Sequence, residues 1–163
     1  MYKFRNADEN EQNEKDSLGC VPNVGEWIYG AGVREEVYAL FLGKMIALFG
    51  KSDTLSDDWE NMYTYPLVAE DENGTKLRID IYHGSGGPSY CIPWQLDDEK
   101  KEIYINAVKE LVAYIENAQP ADYVHESVYY DIPANVTYTV KDGKAKVDSS
   151  FPEGEDFDPE DFM

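Results

Sequence analysis

Cysteine and histidine are the side chains best able to supply a nucleophile and a base near neutral pH, and this chain carries two of each. His83 and Cys91 lie on either side of Gly84-Ser85-Gly86-Gly87-Pro88. A turn there could bring them together as a thiol–imidazole pair. Such a pair works only if the imidazole sits within hydrogen-bonding reach and the pocket favours thiolate. Cys91 stands between Tyr90 and Ile92 in a strand-like run, where a cysteine more often behaves as a small buried hydrophobe. His125, among acidic neighbours in a predicted strand, reads as structural. Cys20 and Cys91 make neither a disulfide framework nor a metal-ligand spacing, so reduced thiols in a cytoplasmic protein are expected.

Other combinations offer less. Asp53, Asp57, Asp58 and Glu60 are close in sequence but lack the glycine and the spacing of a calcium loop. Gly30-Ala31-Gly32 is followed by Glu35 where a dinucleotide fingerprint needs its third glycine. Gly84 to Gly87 could form an anion nest, yet no lysine or helix follows to hold a phosphate. Among 33 acidic residues, no pair of carboxylates can be assigned to acid–base work from sequence alone. No catalytic set, metal or cofactor is therefore expected.

Charge is the strongest global signal. The formal net charge is −19 over 163 residues, more than half of it on residues 17–151. Residues 152–163 add six acids and no base. Such a chain repels phosphate backbones and anionic lipid, because affinity for both rests on Lys and Arg. It would speed encounter with a basic protein. The expectation is a protein partner, with no nucleic acid and no membrane. No run approaches the ~20 apolar residues of a membrane span, and MYKFRNADENEQNEK lacks the apolar core of a signal peptide. Ser17-Leu18-Gly19-Cys20 has the look of a lipoprotein cleavage site, but no hydrophobic run precedes it.

The elements that must position these residues can be read in order. Residues 1–22 are polar and expected to be mobile, 23–151 form one domain, and 152–163 form an acidic tail. Val24 to Tyr29 predicts a short strand. Val37, Leu40, Phe41, Met45, Leu48 and Phe49, widened by Leu42 and Ile46, predict a heavily buried helix over about 33–49, with Gly43 for close packing and Gly50 to end it. Residues 51–61 make a polar connector around Trp59. Leu77, Ile79 and Ile81 alternate with Arg78, Asp80 and Tyr82, so 76–83 is a half-buried strand. Asn73-Gly74 should supply positive φ for a hairpin with 62–70, and Pro66 should sit at an edge or bulge. After a constrained glycine-rich loop and a short strand at 90–94, Asp97 caps a helix reaching about Asn117. Ile103, Ala107, Val108, Leu111, Val112 and Ile115 form its stripe. Strands follow at 122–130, 136–141 and 144–148, the last two joined by Asp142-Gly143. Strands in consecutive hairpins predict an α+β fold, an antiparallel sheet of about five to seven strands with two helices packed on one face.

Leu48-Phe49-Gly50, Asp57-Asp58, Tyr63 to Asp71, Asn73-Gly74 and Ile81-Tyr82-His83-Gly84-Ser85-Gly86-Gly87-Pro88 together resemble a family of small bacterial proteins. In these a helix ending in phenylalanine-glycine precedes an acidic connector, an asparagine-glycine hairpin and a glycine-serine-glycine-proline loop. The family is the immunity-type proteins of bacterial polymorphic toxin systems, and the resemblance spans roughly residues 37–118. It implies a non-catalytic protein that binds and blocks a cognate toxin, for instance a basic, nuclease-like one. Many members continue the loop as glycine-proline-alanine-isoleucine-glycine-glycine where this chain has Gly87-Pro88-Ser89-Tyr90-Cys91-Ile92, and no residue role is carried over. Two alternatives are a phage-type acidic inhibitor that mimics nucleic acid, and a small cysteine-dependent enzyme using Cys91 and His83. From the residues themselves, the partner-binding surface is expected on the 51–61 connector and the 83–94 loop. There Asp57, Asp58 and Glu60 would steer, and Trp59, Tyr90 and Trp94 would anchor. The competing reading places the tryptophans in the core.

Overall fold

The structure, a computed structural model, describes residues 1–13, 26–30, 32–84, 87–93, 95–129 and 134–150. The acidic tail, the Ser17–Cys20 stretch, Ser85-Gly86 and Trp94 lie outside them. The fold is α+β. In chain order the described elements are β1 (Lys3–Asn6), α1 (Glu9–Asn13), β2 (Glu26–Trp27), α2 (Glu35–Phe49), a 3-10 turn (Trp59–Asn61), β3 (Tyr63–Glu70), β4 (Lys76–Gly84), β5 (Gly87–Cys91), α3 (Asp98–Glu116), β6 (Tyr123–Tyr129), β7 (Ala134–Lys141) and β8 (Lys144–Ser150).

The single sheet expected from the sequence is two antiparallel sheets. The first runs β1-β3-β4-β5-β2 and the second β6-β7-β8. The reason is α2. Its apolar residues spread over most of its circumference, and it packs against β7 and β8 as well as α3. On its other side Tyr38 meets His83 of β4 and Phe49 meets Tyr65 of β3. A helix apolar on two sides needs a sheet on each. One core, from Phe41 and Leu42 through Ile79 and Ile81 to Val136 and Tyr138, runs through all three layers. Gly43 lets the chain after α3 cross α2 closely. A Cβ there would lie 2.9 Å from Pro120 and 3.2 Å from the Ala121 carbonyl.

The hairpins form where their turn residues predict, with one difference. Asp142 (φ 52°) and Gly143 (φ 77°) make the two-residue turn of β7–β8. Between β3 and β4 only Gly74 takes positive φ (82°). The Asp71 carboxylate accepts from the amides of Asn73 and Thr75 (2.8 and 2.9 Å), so an Asx turn builds a longer loop than Asn73-Gly74 alone suggests. Gly87 and Pro88, expected in a loop, belong to β5, where Gly87 (φ 105°) passes against the Tyr38 ring. Pro66 sits just beyond the end of β1, where its missing N–H costs no ladder bond. Further along that edge, Thr64 is closed off by side chains. Its N–H donates to the Thr54 hydroxyl (2.7 Å), and its carbonyl accepts from Ser52 (2.8 Å) and Thr54 (3.1 Å).

The N-terminal segment, expected to be mobile over 1–22, carries β1 and α1 in its first thirteen residues. β1 pairs with β3 from Lys3↔Glu70 to Asn6↔Leu67. Asp8 and Glu11 cap α1 reciprocally, each carboxylate accepting the other's amide (2.7 and 2.9 Å). Arg5 clamps Glu11 through both oxygens (2.6 and 2.8 Å), and Arg78 donates to the Glu11 carbonyl and to Asp80. Hydrogen bonding from Arg5 is the largest of the influences that hold the Glu11 carboxyl down at about 2, against the opposing effect of burial.

Candidate functional site

The two candidate reacting groups stand on opposite faces of the first sheet. β4 and β5 pair with Cys91 opposite Asp80 and Pro88 opposite His83. Residues 80 and 83 are an odd number of positions apart, so their side chains point to opposite faces, ~10 Å apart along the strand at ~3.3 Å per residue. Cys91 is moreover held in a disulfide. The only other cysteine in the sequence, Cys20, lies outside the described residues. Thus the thiol–imidazole pair is not assembled. The expectation of a reduced thiol at Cys91 is thereby corrected. No described helix is long and apolar enough to cross a membrane, and no group of three or more metal-ligating side chains occurs among the described residues.

His83 is buried at 1% exposure inside an aromatic cage. Its ring lies 5.2 Å from Trp59, 5.5 Å from Tyr63 and 6.3 Å from Tyr38, centroid to centroid. Neither ring nitrogen makes a well-formed hydrogen bond. Burial therefore pushes its pKa down to about 4, His125 adds to the effect, and the nearby backbone of His83 and Trp59 opposes it. A neutral imidazole walled off from solvent cannot serve as a base for an outside substrate.

The 51–61 connector, expected to present aromatic anchors, is instead the seam between the two sheets. The Ser56 carbonyl contacts His125 Nε2 of β6 at 2.8 Å. Val128 N–H donates to the Asp57 carbonyl at 2.6 Å, beside a parallel bridge from Asp58 to Val128. On the other side the Ser56 amide reaches the Met62 carbonyl, and the Met62 amide the carbonyl of His83. Trp59 fills this seam at 5% exposure, edge-on to His83 and Tyr138. Trp59 and Tyr90, expected as exposed anchors, are thus both buried, Tyr90 at 8% exposure against α3. Asp57 is exposed and Asp58 half-buried, so the expected steering acids do reach the surface here. The Glu60 side chain, like Trp94, lies outside what the structure describes.

Of the two described tryptophans, Trp27 is the exposed one, and it is absent from the sequence-derived site. It borders a cleft of about 370 Å³ with Ile28, Ile105, Lys109 and Val112 between β2 and α3. Only its place on a two-residue edge strand exposes it, and nothing in VGEWIY signals that. A cleft of about 340 Å³ lies by Ser52, Thr54 and Tyr65, and another of about 490 Å³ by Tyr2, Lys3 and Asp71.

No protein-family model, no curated protein sequence and no solved structure matches the chain.

Proposed function

We propose that this protein is a non-catalytic inhibitor that captures a basic protein, in the manner of an immunity protein bound to its toxin. The observation that carries the reading is the charge of −19, displayed at exposed acids such as Asp53, Asp57, Glu72, Glu99 and Glu126. A field of that sign accelerates encounter with a cationic surface and disfavours anionic ligands. Two further points support it. The sequence pattern over 37–118 resembles immunity-type proteins, and the candidate Cys91–His83 pair is split across the sheet. With Trp59 buried in the seam, partner capture rests on acidic steering at Asp57 and its neighbours. Placement in the cytoplasm belongs to the same proposal and requires Cys91 to tolerate reduction.

The test is co-expression with a basic toxin encoded beside this chain. Rescue of growth, with a stable complex recovered from the cells, is the expected result. Unrelieved toxicity and no complex would remove the proposal. A complex formed instead with a nucleic-acid-binding protein, displaced by added DNA, would favour the nucleic-acid mimic that the same acidity allows.

A further inference from the structure

Most strand edges in the molecule are short or covered. β2 has two residues and β1 four, the Thr64 edge is closed by hydroxyls, and the outer edge of β6 is met by Asp57 and Asp58. β8 differs. It is seven residues long and ends the second sheet with no strand beyond it among the described residues.

The hairpin fixes which backbone groups that edge presents. With Asp142-Gly143 as a two-residue turn, Lys141↔Lys144 is a hydrogen-bonded pair. The alternation of an antiparallel ladder then directs the N–H and C=O of Lys144, Lys146 and Asp148 toward β7, and those of Ala145, Val147 and Ser149 outward. We infer that β8 is a self-association edge. A second copy of this chain pairs with it antiparallel about a two-fold axis at Val147, joining two three-stranded sheets into one of six.

Charge selects that register. Centring on Val147 sets Ala145 against Ser149 of the second copy, and Val147 against its own copy, so all outward backbone groups meet partners. On the solvent face it sets Lys146 against Asp148 of the second copy, twice. Both side chains are exposed, at 75% and 58%, and already pair with each other along the strand at 3.7 Å, an exposed contact that the cross-strand pairs would replace. Shifting the axis one residue either way also aligns outward backbone groups, but it opposes Lys146 to Lys146 or Asp148 to Asp148. Like charges directly opposed are destabilising, and opposite ones stabilising. Ala145 and Val147 keep their side chains packed on the core beneath, so pairing needs no rearrangement of the fold. Two copies of net charge −19 repel, which makes the contact weak at low salt and stronger at ~0.15 M, where screening acts over ~8 Å. This inference is independent of the proposed function.

Sedimentation of the full chain over a concentration series in such salt tests it. The wild type should form a concentration-dependent dimer. Lys146→Asp should weaken it at least about fivefold, and so should Asp148→Lys, because each places like charges face to face twice. The double exchange Lys146→Asp with Asp148→Lys should restore it to within a few-fold of wild type. All three changes lie on an exposed face, and circular dichroism checks that the fold is retained. A wild type monomeric throughout, a dimer indifferent to Lys146→Asp, or a double exchange that fails to restore pairing each overturns the inference. Protection of the Val147 amide only when another protein is added would assign the edge to a foreign strand, and would overturn it equally.

Discussion

The two sheets use similar residue types to opposite ends. In the first sheet both faces are put to use. Ile79, Ile81 and His83 point into the helical layer, while on the reverse face Val68 is 1% exposed and the Arg78 side chain 10% exposed beneath the Glu11 cap. In the second sheet only one face is covered. Val136, Tyr138 and Val140 are buried against α2, and Val124 on the other face is 71% exposed. An arginine in the first sheet therefore closes a surface, whereas a lysine in the second stands in water. Alternation alone predicts a half-buried strand in both cases. What differs is whether a further element, here α1 following β1, is folded over the polar face.

The contrast is broken most severely at the seam that joins the sheets. Trp59→Ala should destabilise the protein by ~3–5 kcal/mol, the cost of emptying a buried aromatic site. Chemical denaturation should show that loss in the midpoint, with the second sheet losing its packing against the first. A variant as stable as wild type would mean that Trp59 does not hold the sheets together.

Acid should act at the same place with a smaller effect. His83 has a pKa depressed from 6.5 to about 4, so the unfolded chain binds the proton more readily than the folded one. Its contribution is complete above about 6.5 and is lost as the pH falls toward about 4. The maximum is ~3 kcal/mol at ~1.4 kcal/mol per unit. Denaturation midpoints measured across that window should fall for the wild type and flatten for His83→Phe. Equal slopes in both proteins would place the acid sensitivity elsewhere.

How much of this was legible follows from where each residue's environment is decided. The cap at Asp97 and the stripe from Ile103 to Ile115 are local, and α3 forms within a residue or two of where they predict. Asp142-Gly143 likewise fixes its own hairpin. The breadth of the apolar surface on α2 announced a buried helix, yet not that the burial came from a second sheet. Hairpins specify strand pairs, not which pairs join. β1 contains one large apolar residue, Phe4, and its strand conformation comes from pairing with β3 some sixty residues away. Trp59 stands in Ser56-Asp57-Asp58-Trp59-Glu60-Asn61, a polar stretch that reads as exposed. Its burial is imposed by Tyr138 and His83, which are supplied from elsewhere. The Cys91–His83 pairing depended on the register across a turn, and an odd offset sent the two side chains apart.

The mildest change belongs on the open face of the second sheet. Val124→Thr keeps the branched side chain on an exposed strand, and should alter stability by no more than ~0.5 kcal/mol. A larger loss would show that this face is covered.

The central functional claim is that exposed acids, and not seam aromatics, bring a basic partner to this protein. The direct measurement is stopped-flow association with the basic protein proposed as its partner, comparing wild type with Asp57→Lys from low to high salt. The predicted result is a several-fold slower association for the variant at low salt, with dissociation little changed and the difference closing as salt is added. Association rates equal for the two proteins and insensitive to salt would contradict it.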